Sequence, residues 1–166
     1  STDLRITSSG EFLTTGIAPN TTVTGNTMTV LTPSLNVTLA GTPSSGVFVK
    51  NQADIPASAF TISAGSQSDV RVTSLKVTGR GNTAGSYAVT QLYNVVNSCG
   101  LFDGDTAIGS RQSPSATDGT MTFSSLNLNI ARGTSKTLST RCTADTTVTQ
   151  AAGDMFAVGI GAAGDI

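Results

Sequence analysis

Residues 121–145 read MTFSSLNLNI, ARGT and SKTLSTRCTAD in turn, and this stretch decides the fold of the chain. Its first part alternates apolar with polar side chains in the order Leu126, Asn127, Leu128, Asn129 and Ile130. A period of two is typical of a strand with one buried and one solvated face, so the apolar side chains are expected in the core and both asparagines outside. The ARGT link contains a glycine suited to a turn, and a second strand with Cys142 follows it. The stretch therefore predicts a β-hairpin.

Similar alternation recurs along the rest of the chain. The runs lie at Leu35–Leu39, Phe60–Ala64, Val70–Val77, Tyr87–Val96 and Met155–Ile160. Turn-forming residues separate them about every ten residues, and no segment has a helical period of useful length. The pattern predicts an all-β fold, an antiparallel two-sheet sandwich of immunoglobulin-like or jelly-roll-like kind with eight to ten short strands.

Local irregularities suggest how these strands begin and end. The alternation slips at 73–74 and again at 124–125, which predicts a β-bulge in each strand. The segments around the slips, VTSLKV at 72–77 and FSSLNL at 123–128, are similar in sequence.

Two stretches are expected to lie outside the strands. The glycine-rich stretch 79–85 is expected to be a flexible connector. Residues 97–120 are expected to form a long loop region with one short strand.

The composition excludes several classes of partner. Charged residues make up 11% of the chain and the net charge is −1, so neither a basic patch for nucleic acid nor an acidic run is present. No apolar run is long enough to predict insertion into a membrane. Threonine and serine, 28 and 20 residues, solvate the surface in place of lysine and glutamate. A surface of this kind repels itself weakly, which suits close packing of copies.

The chain is not expected to be an enzyme, and no cofactor motif is found. It contains no histidine, which removes the usual general base near neutral pH and the commonest transition-metal ligand. Glu11 is its only glutamate, and no G-x-S-x-G motif is present. Asp103-Gly104-Asp105 resembles the start of a calcium loop, with Asp118 and Asp145 as further candidate ligands, but Pro114 stands where that loop needs glutamate. A plain turn is the preferred interpretation.

The two cysteines are predicted to form a disulfide. Cys99 and Cys142 are the only pair in a chain with the composition of a secreted protein. Their bond would close a loop of about 43 residues and tie the 97–120 region to the second strand of the hairpin. The pair also indicates an oxidising compartment, so the protein is expected to be secreted and to act outside the cell or on its surface.

Residues 1–31 read as an extended N-terminal arm, and residues 32–166 as the sandwich domain. The arm carries spaced apolar residues, Leu4, Ile6, Phe12, Leu13 and Ile17, which a free tail would leave in water. They are predicted to contact a neighbouring copy of the chain, with contact to the chain's own domain as the alternative. Phe102 is a second candidate contact because it lies in a predicted loop beside two aspartates.

Two kinds of sugar-related site are candidates. Asn20 and Asn36 fit the N-glycosylation pattern; Asn20 lies in a predicted turn, whereas Asn36 lies on a strand and needs an outward, uncovered face. Tyr87 and Tyr93 could stack on sugar rings, although a chain without tryptophan offers a poor platform.

Several phrases together resemble a known family. They are VTLAGTP at 37–43, AFTISA at 59–64, DVRVTSLKVT at 69–78, residues 89–96, residues 121–130, RGTSKTL at 132–138 and GDMFAVGI at 153–160. In this order they resemble the β-sandwich repeat domains of large prokaryotic cell-surface proteins of S-layer and adhesin-like type. The resemblance covers roughly residues 35–163, rests on strand-and-turn phrases, and implies an extracellular structural role. The single copy, the arm and the cysteine pair depart from that family.

These observations lead to two hypotheses from different classes. The first is a structural subunit of an extracellular filament, pilus-like polymer or S-layer-like lattice, built from copies of the chain by sandwich packing and strand exchange through the arm. The second is a glycan-binding or adhesion module of a secreted surface protein.

Overall fold

The computed structural model describes residues 29, 33–83, 86–145, 154–161 and 166. Within them lie eleven strands and two short helical segments. The strands are β1 (Leu35–Leu39), β2 (Ile55–Ala64), β3 (Val70–Val72), β4 (Leu75–Thr83), β5 (Ser86–Ala88), β6 (Val96–Asp103), β7 (Thr106–Gln112), β8 (Thr120–Phe123), β9 (Leu128–Ile130), β10 (Ser135–Ala144) and β11 (Met155–Gly159). A 3₁₀ turn (Val89–Gln91) and the short helix α1 (Leu92–Val95) lie between β5 and β6.

The strands form three antiparallel sets. A five-stranded sheet has the order β1-β2-β10-β6-β7, and a four-stranded sheet has the order β11-β4-β5 with β8 also on β4. The third set is the pair β3–β9. The predicted all-β, sandwich-like fold is confirmed. The strand number exceeds eight to ten partly because two of the predicted strands are each divided in two.

One hydrophobic core joins these sets. Its buried side chains include Phe60, Ile62, Leu101 and Leu138 from the five-stranded sheet, Leu75, Val77, Met121 and Phe123 from the four-stranded sheet, and Val72, Leu128 and Ile130 from the β3–β9 pair. Leu126 is buried as well, and Asn127 and Asn129 are exposed, so the predicted faces of this stretch are confirmed. Thr140 is also fully buried, and its hydroxyl bonds that of Ser58 at 2.6 Å.

The predicted hairpin at 121–145 is wrong, although both of its strands exist. β9 pairs with β3, whereas β10 pairs with β2 and β6 in the five-stranded sheet. The ARGT link therefore crosses from one set of strands to another. The Gly133 N–H donates to Gly65 O at 3.0 Å, and the Ala64 N–H donates to Thr134 O at 3.0 Å, so the link is held by the end of β2.

The two predicted slips are a single feature, because the ladder is interrupted where residues 73–74 lie opposite residues 124–127. β3 pairs with β9 before the slip at 73–74, and β4 pairs with β8 after it. The echoing segments 72–77 and 123–128 thus lie opposite each other as one bent antiparallel ribbon. At the bend, the Leu126 N–H donates to Thr73 O at 2.9 Å. Ser125 takes a positive φ of 57° there.

Residues 79–96 differ from the prediction in two ways. Gly79 and Gly81 belong to β4 and form no flexible connector. A Cβ on Gly79 would lie 2.6 Å from side-chain atoms of Leu92 and Val158, so these glycines permit close packing on β4. The predicted strand at 87–96 is helical between Val89 and Val95, where Leu92 and Val95 turn into the core.

The predicted loop region at 97–120 is largely strand. β6 and β7 pair with each other across a tight turn at Gly104 and Asp105, so the turn interpretation of this sequence is confirmed. The disulfide between Cys99 and Cys142 is present. It joins residues directly opposite each other on β6 and β10, with their Cα atoms 3.9 Å apart, and both are fully buried.

Candidate functional site

The first strand of the sandwich, β1, lies at an edge of the five-stranded sheet. It pairs with β2, and no strand within the described residues lies on its other side. Its sequence LNVTL alternates branched apolar residues with polar ones, which accounts for the extended conformation.

The hydrogen bonds beside β1 show which backbone groups point away from the sheet. The Ala40 N–H donates to Ala59 O and the Gly65 N–H donates to Ser34 O, both at 2.9 Å. Hydrogen-bonded pairs alternate along an antiparallel ladder, so Asn36 and Thr38 also bond to β2. The N–H and C=O groups of the residues between them, Leu35, Val37 and Leu39, therefore point toward the open edge.

The same three residues face the core side of the sheet. Leu35, Val37 and Leu39 lie opposite Ala64, Ile62 and Phe60 of β2, and all three β2 residues are buried. Residues directly opposite each other share a face of the sheet. Yet Leu39 is 78% exposed and Leu35 is 38% exposed. The core face of β1 thus extends beyond the part of the sandwich that the described residues cover.

A groove of about 380 Å³ runs along this uncovered face. Its lining consists of Leu35, Asn36, Val37, Leu39, Phe60, Ile160, Gly161 and Ile166. Ile160 directly follows β11, so the groove lies where the five-stranded and four-stranded sheets part. None of the side chains that line it carries a charge. An open strand edge beside an apolar, uncharged groove can accept an extended segment that supplies both backbone hydrogen bonds and apolar side chains.

The opposite edge of the same sheet, β7, is built differently. Residues 109–111 lie opposite the single residue Gly100, which is a bulge. Arg111, inside this bulge, donates to Asp54 Oδ1 at 2.8 Å and to Thr143 Oγ1 at 2.9 Å. A bulge and a charged side chain are devices that prevent an edge from pairing with another chain. β1 has neither of them.

Phe102 lies on the outer face of the five-stranded sheet. Its ring is half-buried under the Arg141 guanidinium, whose carbon is 4.6 Å from the ring centroid. Arg141 in turn donates to Asp105 Oδ1 at 2.7 Å and to Gly104 O at 2.9 Å. β2 and β10 separate its strand from β1, so Phe102 belongs to a different surface from the groove. Its predicted role as an intermolecular contact stays a prediction.

The candidate calcium ligands are engaged separately. Asp103 is paired with Lys136 at 2.8 Å, and Asp105 is paired with Arg141 at 2.7 Å. Within the described part of the chain, no three acidic or cysteine side chains come close enough together to hold a metal ion. Asp118 bonds the backbone N–H and the hydroxyl of Thr120 in its own turn.

The remaining candidate residues are partly placed. Asn36 is exposed on the outer face of β1, so the condition for glycosylation of a strand residue is met. Tyr87 and Tyr93 are 46% and 45% exposed, and Tyr87 borders a shallow cavity of about 300 Å³ with Arg80 and Val89. The predicted arm contacts Leu4, Ile6, Phe12, Leu13 and Ile17, together with Asn20, lie outside the described residues, and the arm stays a prediction.

No family model matches the sequence, and no curated protein is similar to it at a significant level. None of the helices formed by the described residues has the length and apolar character needed to span a bilayer.

Sequence reasoning missed the groove for a definable reason. The alternation in LNVTL predicts a buried face, and burial depends on what lies across from that face. Two features of the sequence are consistent with this surface. The strand LNVTL follows the arm with its spaced apolar residues, and the strand itself carries no charge.

Proposed function

We propose that the protein is a structural subunit of an extracellular or cell-surface assembly, in which copies of the chain polymerise as a filament or a lattice. The observation that carries this proposal is the open edge of β1 with its core-side leucines exposed. An extended segment of a neighbour would bond the outward backbone groups of Leu35, Val37 and Leu39 and cover their side chains. Contact between different surfaces of identical copies propagates head to tail as a polymer when the rotation between copies does not close a ring.

The chemistry of the rest of the chain supports this proposal. Few charges oppose the approach of identical copies, because the net charge is −1 and charged residues are scarce. The buried disulfide suits a protein that works in an oxidising environment outside the cell. The β7 edge carries a bulge and Arg111, whereas β1 has neither, and this contrast favours β1 as the surface that contacts a neighbouring copy.

Two kinds of interaction at this edge would favour such a contact. Fully burying a leucine side chain contributes about 1.5–3 kcal/mol. Leu39 and Leu35 are already partly covered, so the burial of each would contribute only the fraction of this free energy that corresponds to its exposed surface. Backbone hydrogen bonds add roughly 0.5–1.5 kcal/mol apiece. The repetition of the contact along a polymer then multiplies its effect.

Electron microscopy of the purified full chain tests the proposal. We expect filaments or ordered sheets at micromolar concentration and above. Monodisperse particles of monomer size over the whole accessible concentration range would contradict it. A mild salt dependence is expected because the proposed contact is apolar and made by backbone groups.

The second candidate function is glycan binding, and exposed Tyr87 is the observation that favours it. The ring borders a shallow cavity beside Arg80, and Tyr93 is exposed on the neighbouring helix. Sugars commonly stack on such rings while a cation bonds their hydroxyls. Binding to a glycan array that is lost in Tyr87→Ala and kept in Tyr93→Ala would support this function at the cavity.

A further inference from the structure

We infer that the groove beside β1 accepts residues 12–17 of a second copy of the chain, with Leu13 and Ile17 entering the groove. This inference rests on the proposed function and names the partner segment at the same site. Four observations lead to it: the exposure of the groove, its lack of charge, the spacing of the segment's apolar residues, and the length of the intervening chain.

The exposure of the groove shows that the described residues leave room for an occupant. Leu39 is 78% exposed and Leu35 is 38% exposed in the single chain. Both lie on the face that continues the buried residues Phe60, Ile62 and Ala64. The described residues thus leave an apolar face that an extended segment of a neighbouring copy can complete.

Charge selects the part of the arm that fits. The groove lining has no charged side chain. Residues 1–11 contain Asp3, Arg5 and Glu11, whereas no charge occurs between Phe12 and Val49. Burying an unpaired charge in an apolar groove is strongly unfavourable, so the uncharged part of the arm is the better match.

Spacing then selects a register within this part. The segment FLTTGI places Leu13, Thr15 and Ile17 on one face of an extended chain. Leu13 and Ile17 are about 13 Å apart in that conformation, the same separation as Leu35 and Leu39. The two branched side chains can therefore meet the two exposed leucines, while Thr15 lies beside Val37.

The intervening chain is long enough to reach a neighbour. Residues 18–34 separate Ile17 from β1, and seventeen extended residues span up to about 60 Å. A domain of the size of residues 32–166 has a diameter of roughly 35–40 Å. Residues closer to β1, such as Val30, have a much shorter connection and therefore a shorter reach.

Photo-crosslinking on the full chain tests this inference. Benzoylphenylalanine replaces Leu39, and equal amounts of unlabelled and ¹⁵N-labelled chains are mixed before irradiation. We expect crosslinks from position 39 to residues 12–17, and about half of the crosslinked peptide pairs should join a light to a heavy chain. The matched control carries the same probe in place of Thr38, which is exposed on the other face of β1. It should give at least about fivefold fewer crosslinks to residues 12–17.

The outcomes separate this inference from the proposed function. Light–heavy crosslinks that map to another segment would overturn the choice of residues 12–17 and leave self-assembly standing. Crosslinks to residues 12–17 within one isotope only would show that the chain fills its own groove. A monomeric sample without any light–heavy pair would overturn both proposals.

A second pair of full-length variants tests the named side chains. Leu13→Asp should raise the concentration needed for assembly at least about tenfold, because a carboxylate would enter the apolar groove. Thr14→Asp, on the opposite face of the segment, should change it less than about threefold. Equal effects of the two variants, with unchanged melting temperatures, would overturn the register.

Discussion

At the scale of single residues, Gly119 shows how tightly the turn before β8 packs. Its φ is +65°, and a Cβ there would meet the carbonyl oxygens of Gly79 and Val89, the latter at 2.7 Å. We expect Gly119→Ala to destabilise the protein by at least about 2 kcal/mol, because strain and a backbone clash combine. Gly133→Ala is the matched control, since Gly133 has a φ of +68° with nothing within 4 Å of its Cβ.

Urea denaturation of both variants measures this difference. The control should lose about 1 kcal/mol, the cost of the left-handed conformation alone. A loss at Gly119 no larger than that at Gly133 would show that the close approach of the two carbonyls is not a constraint.

The faces of β9 give a second residue-scale prediction. Leu128 is 5% exposed in the core, whereas Asn127, just before the strand, and Asn129 are exposed. We expect Leu128→Ala to cost about 2–5 kcal/mol of unfolding free energy. Asn127→Ser should stay within about 0.5 kcal/mol of the wild type. Equal, small effects in chemical denaturation would contradict the placement of Leu128 in the core.

Asp118 makes the stability depend on pH. A hydrogen bond from the side chain of Ser115, and others from Thr120, hold the pKa of its carboxyl below the ordinary 3.8. A pKa lowered by folding contributes stability that is complete above the unfolded value and is lost as the pH falls through the folded value. We therefore expect Asp118→Asn to lower the melting temperature more at pH 7 than at pH 2. A difference that stays constant between these pH values would contradict this role.

Single residues also show why some sequence predictions succeed. The period of two placed Leu126, Leu128 and Ile130 correctly because the side chains of a strand must alternate between faces. The prediction of a flexible connector at Gly79 and Gly81 was wrong, because the sequence alone does not distinguish a glycine needed for flexibility from one needed for close packing. The decisive fact, the approach of Leu92 and Val158, comes from elements distant in the chain.

At the scale of elements, the disulfide joins two central strands of one sheet. Cys99 and Cys142 are separated by 43 residues in sequence, and both are fully buried. We expect the double variant Cys99→Ala, Cys142→Ala to lose up to about 4 kcal/mol, mainly because the unfolded chain is no longer constrained. Calorimetry of the wild type and the variant, both without reductant, measures this loss. An unchanged melting temperature would show that the crosslink contributes nothing to stability.

Element pairing was the least predictable level of the structure. Most strands could be located from alternation, but the partner of each strand depends on long-range contacts. β9 and β10 look like a hairpin because four residues separate them, yet the link crosses between two sets of strands. The slips at 73–74 and 124–125 were visible in the sequence. The structure adds that these two slips lie opposite each other, so that they form one shared bend of the ribbon.

At the scale of the whole molecule, the two edges of the five-stranded sheet differ. The β7 edge is interrupted by a bulge that contains Arg111, while the β1 edge presents backbone groups and apolar side chains. The sequence indicated an assembly through its scarcity of charge and the spaced apolar residues of its arm. It could not identify the acceptor surface, because exposure of Leu39 depends on where the facing sheet ends.

Sedimentation velocity of three full-length proteins tests the central claim, self-assembly through the core face of β1, most directly. The wild type is compared with Leu39→Lys and with its control Thr38→Lys. Both positions are exposed in the single chain, so neither lysine should unfold the monomer. We predict large assemblies for the wild type and Thr38→Lys, and monomers for Leu39→Lys, because its charge would lie in the groove between copies. Assembly of Leu39→Lys at the same concentration as the wild type would contradict the account.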